Sequence, residues 1–225
     1  MKRTPSFFIL RVATPGLAFV LAACASGPRP PDWQINARDS GERFVQAYLS
    51  GQPRVDALEF DRARAETTRT GQPQTVARIE LLRCAARTAS LVLEPCAGFE
   101  VLRQDAAAPE RAYADYLAGR LQPQDIALLT PAQRGVAAAS EQAAPAALGA
   151  IADPLSRLVA AAVLLQTGRA SPGVITQAVD TASAQGWRRP LLAWLGVQEQ
   201  RALQAGDAAE AQRLRRRIDL VLKAP

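Results

Sequence analysis

The chain has 225 residues, with 27 Lys and Arg against 21 Asp and Glu, three Cys and no His. Without histidine it lacks the usual base for a Ser or Cys nucleophile and the commonest metal ligand. Lysine occurs only at Lys2 and Lys223, and no glycine-rich phosphate-binding loop is present, which disfavours Schiff-base and nucleotide chemistry. We therefore expect a non-catalytic protein without a cofactor or metal. The enzymatic alternative is a hydrolase that uses carboxylates alone.

The first 23 residues are typical of an export signal. Lys2, Arg3 and Arg11 are followed by an apolar run at residues 12–23. This run is shorter than the roughly 20 residues that a membrane-spanning helix needs. Beyond the signal, 24 basic residues face 21 acidic ones, so half of the net positive charge belongs to the signal. We expect no nucleic-acid partner.

The junction Leu21-Ala22-Ala23-Cys24 resembles the lipobox of bacterial lipoproteins. The resemblance implies cleavage before Cys24, attachment of diacylglycerol to its thiol and acylation of the new N-terminus. Two or three acyl chains anchor a protein stably, whereas one anchors it only marginally. Ala25 stands where lipoproteins kept at the inner membrane usually carry Asp, so the resemblance implies the outer membrane, facing the periplasm. The alternative is an ordinary signal peptide with a chance cysteine.

Cys84 and Cys96 remain as a pair once Cys24 is set aside. The periplasm oxidises thiols, so the pair is expected to form a disulfide. A continuous helix across residues 84–96 would hold the two cysteines about 18 Å apart, at about 1.5 Å per residue. The helix must therefore end early, or the chain must reverse at residues 94–98, where a proline and a glycine favour a turn. The alternative is two buried free thiols.

Residues 24–32 form the expected tether, because three prolines and several small residues disfavour a helix there. Residues 33–225 are expected to form an all-α domain. Apolar residues recur at spacings of three and four, and no sustained alternation appears. The Ala-rich stretch at 136–150 is the expected connection between two halves, with a sub-division of the domain near 140–150.

Helices in the first half are expected at 38–50, 53–69 and 73–92, and a short one around Tyr113 and Tyr116. Their expected stops include Gly51, Gly71 and Gly119. The third helix carries an expected polar face, which consists of Glu80, Arg83, Arg87 and Ser90.

Four helices in the second half have clearer signals. The first two are expected to start at Asp153-Pro154 and Ser171-Pro172, and the third at Pro190. Proline is favoured at the start of a helix. Asp207 with Glu210 forms the pattern of a capping box before the last helix. The expected stops are Gly168, Gly186 and Gly206, and the inward residues of the last helix are Ala211, Leu214, Ile218, Val221 and Leu222.

A weak repeat accompanies these helices. The sequence YLSG at 48–51 returns as YLAG at 116–119, after twice the 34-residue tetratricopeptide period. The chain thus resembles a degenerate tetratricopeptide-like array of stacked antiparallel helix hairpins; the alternative is an irregular helical bundle. It also resembles a group of uncharacterised proteobacterial lipoproteins, which implies no particular activity.

Two sets of side chains are candidate binding residues. Arg213, Arg216 and Arg217 form a patch for lipid phosphates or an acidic partner, or else a solvated helix face. The aromatic set either lines a groove or fills the core, and consists of Trp187, Trp194, Tyr113 and Tyr116.

The function expected from these features is that of a lipid-anchored scaffold or assembly factor that binds another envelope protein. Helical arrays present concave surfaces that suit peptides or helices. The alternatives are a structural or envelope-stress lipoprotein without a single partner, and the carboxylate-dependent hydrolase.

Overall fold

A computed structural model describes residues 29–223; Cys24 and the expected export signal lie outside the described residues. The expected all-α class is confirmed, because the described residues contain helices and no β-strand. The described residues from Pro31 onward form one compact unit. In chain order the α-helices are α1 (Asp32–Ser50), α2 (Pro53–Thr68), α3 (Pro73–Ala89), α4 (Ala97–Glu100), α5 (Ala108–Leu117), α6 (Pro131–Ala138), α7 (Ala144–Gly149), α8 (Pro154–Gln166), α9 (Pro172–Ala184), α10 (Arg188–Gln204) and α11 (Ala208–Lys223), with short 3-10 helices at Arg103–Asp105 and Pro123–Leu128.

Prolines and glycines set many helix boundaries. Proline occupies the first position of α2, α3, α6, α8 and α9. The N–H at this position has no partner within the helix, so proline, which lacks an N–H, costs no hydrogen bond there. At Gly51 the backbone φ is +82°, a value that residues with a side chain rarely adopt. All the glycines expected to stop helices share this left-handed conformation: Gly51, Gly71, Gly119, Gly168, Gly186 and Gly206.

Side-chain caps begin three of the last four helices. Asp153, Ser171 and Asp207 each accept a hydrogen bond from the backbone N–H three residues further on. The capping box expected at Asp207 is only half formed, because the carboxylate of Glu210 pairs with Arg213 instead of turning back.

Consecutive helices pack in pairs. α1 lies against α2, α2 against α3, α8 against α9, α9 against α10, and α10 against α11. This packing is consistent with the expected row of helix hairpins, whereas the tetratricopeptide arrangement itself stays a prediction. α3 also packs along α8, so the helices on either side of the central segment share one core.

Helix α10 joins the C-terminal helices to the N-terminal ones. The indole N–H of Trp187 donates to the side-chain oxygen of Gln46 on α1 at 3.0 Å. The indole N–H of Trp194 donates to the carbonyl of Ala89, the last residue of α3, at 3.1 Å. Arg189 adds an ion pair with a carboxylate on α2. The repeat pattern did not predict this contact between the first and tenth helices.

The stretch at 136–150, expected to be a connection, contains α7. Ala144 and Leu148 of this helix are completely buried. The side-chain amide of Gln177 on α9 donates to the carbonyl of Pro145 at 3.1 Å. These residues pack into the same core as their neighbours.

The polar face expected on α3 is wrong at two positions. Glu80 and Ser90 are only 4% and 6% exposed. Glu80 pairs with Arg64 of α2 at 2.8 Å rather than with the arginines of its own helix. It also packs on the backbone of Gly98, where an added Cβ atom would lie 2.1 Å from its Oε2. Spacing within one helix cannot reveal a carboxylate whose partners lie on other segments.

Candidate protein-binding groove

The two cysteines expected to pair lie at disulfide distance. Their Sγ atoms are 2.14 Å apart. Their Cα atoms are 5.8 Å apart, a separation usual in protein disulfides. Helix α3 ends at Ala89, and the chain turns at Leu91 with a φ of +58°. The helix therefore ends before Cys96, as the first of the two expected alternatives required. The turn at Leu91 lies a few residues before the reversal expected at 94–98.

The three arginines of the expected basic patch share one face of α11. Arg213 pairs with Glu210 at 2.5 Å. Arg216 is exposed and Arg217 half-buried, and neither forms an ion pair within residues 29–223. Leu220, one turn further on, is 72% exposed. Binding of an anionic partner by this face stays a prediction.

An open recess of about 870 Å³ lies between α1, α3 and the start of α8. Its apolar surface comes from Val45 of α1, from Ile79 and Leu82 of α3 and from Leu155 of α8. The buried indole of Trp187 closes one side. We call this the α1–α3–α8 recess.

A second recess of about 450 Å³ lies between α3, α5 and the start of α8. Leu81 and Tyr113 contribute to its apolar surface. Leu82, Asp153 and Leu155 line both recesses, so the two spaces meet at these residues. Both recesses are largely apolar, and we call the two adjoining recesses together the groove.

Two local features of the sequence position the groove. One is a glycine that allows α1 to pack closely on α3, and the other is the residue that caps the start of α8. Gly41 allows α1 to approach α3, because a Cβ atom there would lie 3.1 Å from the Cδ2 atom of Leu82. Asp153 caps α8 by accepting the N–H of Ser156 at 2.7 Å, which fixes the first turn that carries Leu155.

The charges around the groove are not balanced. Asp39 and Asp153 form no ion pair within the described part of the chain. Oε2 of Glu110 is buried and lacks a hydrogen-bond partner there. Every arginine of the groove is already paired: Arg38 with Glu42 at 2.9 Å, Arg43 with Glu59 at 2.9 Å and Arg78 with Glu110 at 2.8 Å.

Two protonation states follow from the surroundings. Burial disfavours the charged form of Glu59, but the hydrogen bond and charge of Arg43 and the charge of Arg62 outweigh it and lower the pKa of this carboxyl. Glu59 therefore stays ionised and neutralises Arg43.

Burial raises the pKa of Tyr113, and the charge of Asp153 raises it further. Tyr113 therefore stays a neutral hydrogen-bond donor beside the groove.

The aromatic residues divide between core and groove. Tyr116 is buried and donates to Oε1 of Gln133 at 2.8 Å. Trp194 is completely buried, whereas Tyr113 is half-buried and borders the groove. The groove alternative for the aromatic set is thus correct for Tyr113 and Trp187. Leu82 and Leu155 were not predicted as groove residues, because their local sequence resembles that of other apolar helix residues.

No protein-family model, curated protein or solved structure matches this chain. Within residues 29–223, no helix combines the length and apolar character needed to cross a membrane. The same residues contain no cluster of three or more His, Cys, Asp or Glu side chains suited to a metal ion. The groove is the feature of the described residues that best fits a binding function.

Proposed function

We propose that this chain is a lipid-anchored outer-membrane protein whose helical body faces the periplasm. In this proposal it is a non-catalytic scaffold or assembly factor that binds another envelope protein. The groove receives a segment of that partner, and the lipid on Cys24 confines both proteins to one membrane surface.

The observation that carries this proposal is that the two apolar recesses lie side by side and share Leu82 and Leu155. A surface that exposes apolar side chains along several helices is a usual site for an amphipathic segment, which buries its apolar face there. Val55 lines the α1–α3–α8 recess and is 44% exposed, and Leu128 lines the second recess and is 38% exposed. Both side chains are therefore accessible to a bound segment.

The lipobox resemblance at residues 21–24 supports the anchor and gives a direct prediction. Cys24→Ala removes the acceptor thiol, so we expect the protein to leave the membrane fraction. Fractionation of cells that express the variant, followed by immunoblotting, measures this change. Ala25→Ser, which keeps the acceptor cysteine, is the control. Retention of the Cys24→Ala protein on carbonate-washed membranes would contradict the anchor.

Site-specific photo-cross-linking in cells tests the groove. A photoreactive phenylalanine analogue at Val55 or at Leu128 is expected to capture one dominant envelope protein, identified by mass spectrometry. The same analogue at Leu58, which is 50% exposed on the same helix as Val55 but outside the groove, is the matched control. We expect little or none of that product from the control position.

The competing proposal is a structural or envelope-stress lipoprotein without a single partner. It predicts the same diffuse set of abundant neighbours at Val55, Leu128 and Leu58. That result would reject the scaffold proposal even if the protein proved to be membrane-anchored.

A further inference from the structure

The groove combines an apolar surface with acidic groups that have no cationic partner in the described chain. We infer that its occupant is a cationic amphipathic segment, with apolar side chains on one face and Lys or Arg beside them. This inference rests on the proposed function and specifies the chemistry of the partner.

The apolar residues shared by the two recesses favour an apolar face on the bound segment. Leu82 and Leu155 are half-buried and line both recesses, and Ile79 extends the apolar surface along α3. A partner that covers these side chains removes their remaining apolar surface from water, which favours binding. A fully polar segment would not bury this apolar surface against apolar side chains and would therefore bind more weakly.

The sign of the charge comes from the pairing of the groove's side chains. Each of its arginines already faces a carboxylate, so an acidic segment would find no unpaired cation among the described residues of the groove. Asp39 and Asp153 lack an ion-pair partner there, and Asp153 lies where the two recesses meet. The buried Oε2 of Glu110 lies at the second recess and can still accept a hydrogen bond. These groups suit Lys or Arg and repel Asp or Glu.

The experiment compares two synthetic 18-residue amphipathic peptides with the same leucine positions. One carries Lys at every polar position and the other carries Glu. Binding of each fluorescent peptide to residues 25–225 is measured by anisotropy at two salt concentrations. This fragment contains the whole compact unit and omits the export signal, which is itself basic and apolar.

The matched variants remove charge without removing a helix cap. Asp39→Asn/Asp153→Asn neutralises the two unpaired acids of the groove, and asparagine caps a helix about as well as aspartate. Asp180→Asn/Asp207→Asn makes the same change on a helix surface and at a helix cap outside the groove. Circular dichroism establishes that both double variants are folded.

We expect the Lys peptide to bind at least about tenfold more tightly than the Glu peptide, with a preference that shrinks as salt rises. The groove double variant should weaken binding of the Lys peptide by about threefold to tenfold, and the control double variant should leave it unchanged. Equal binding of the two peptides, tighter binding of the Glu peptide, no binding of either, or equal effects of the two double variants would each overturn the inference. The cross-linking test is independent, because it can identify a groove partner of any charge.

Discussion

Trp194→Ala is expected to lower the free energy of unfolding by about 3–5 kcal/mol, as is usual when a large buried side chain is truncated to alanine. The side chain of Trp194 is completely buried, and its N–H is the hydrogen-bond donor to the carbonyl of Ala89. The variant therefore loses packing contacts and also removes the partner of a buried carbonyl. A single domain is stable by only about 5–15 kcal/mol, so this loss is a large share of the total.

Urea unfolding followed by far-ultraviolet circular dichroism measures this effect on the fragment 25–225. Trp33→Ala is the matched control, because Trp33 is half-buried near the start of α1 and forms no side-chain hydrogen bond with the described residues. We expect a clearly smaller loss from this variant. A loss below about 1 kcal/mol for Trp194→Ala would contradict the buried connection between α10 and α3.

Removal of the Cys84–Cys96 disulfide is expected to cost about 3 kcal/mol. The two cysteines are 12 residues apart in sequence, and closing a loop of this size restricts the unfolded chain by about that free energy. The double variant Cys84→Ala/Cys96→Ala is compared with the wild-type fragment in the absence of reductant. The same urea unfolding measures the difference in the free energy of unfolding. Peptide mapping without reduction should find the two cysteine-containing peptides linked.

Dithiothreitol provides the control for the disulfide. It should lower the urea midpoint of the wild-type fragment and leave that of the double variant unchanged. Free thiols at both positions in protein purified without reductant would show that the two sulfur atoms remain reduced despite their proximity.

Local sequence signals predicted many helix boundaries. The starts of two helices were predicted wrongly: α1 begins at Asp32 instead of residue 38, and α10 begins at Arg188 instead of Pro190. Proline at a first helical position and glycine just past a helix end depend only on backbone conformation, which neighbouring residues decide. The stops at Gly168, Gly186 and Gly206 are correct for this reason. The turn before Cys96 was also predictable, because a straight helix cannot bring the two cysteines together.

Predictions that depend on other helices succeeded less often. Leu222 fits the apolar spacing of α11 and was expected to face inward, but it is 54% exposed. α11 is the last helix and packs mainly along α10, so fewer elements cover its apolar side. Glu80 was assigned to a surface face and is buried against α2 and the segment after the disulfide. Leu82 and Leu155 were not predicted as groove residues for the same reason, since they come together only when α3 and α8 pack against each other.

The contacts made by α10 also affect how the chain matures as it is synthesised. Trp194 and Ala89 are 105 residues apart in sequence, and Trp187 and Gln46 are 141 apart. Synthesis proceeds from the N-terminus at about 5–20 residues per second, so α1 and α3 exist for on the order of ten seconds before α10 is made. During that time the apolar surface that Trp194 later covers is open to water and to other proteins. The N-terminal half is therefore more exposed to aggregation until the last helices emerge, and we expect a chain truncated before α10 to be cleaved faster by proteases than the full chain.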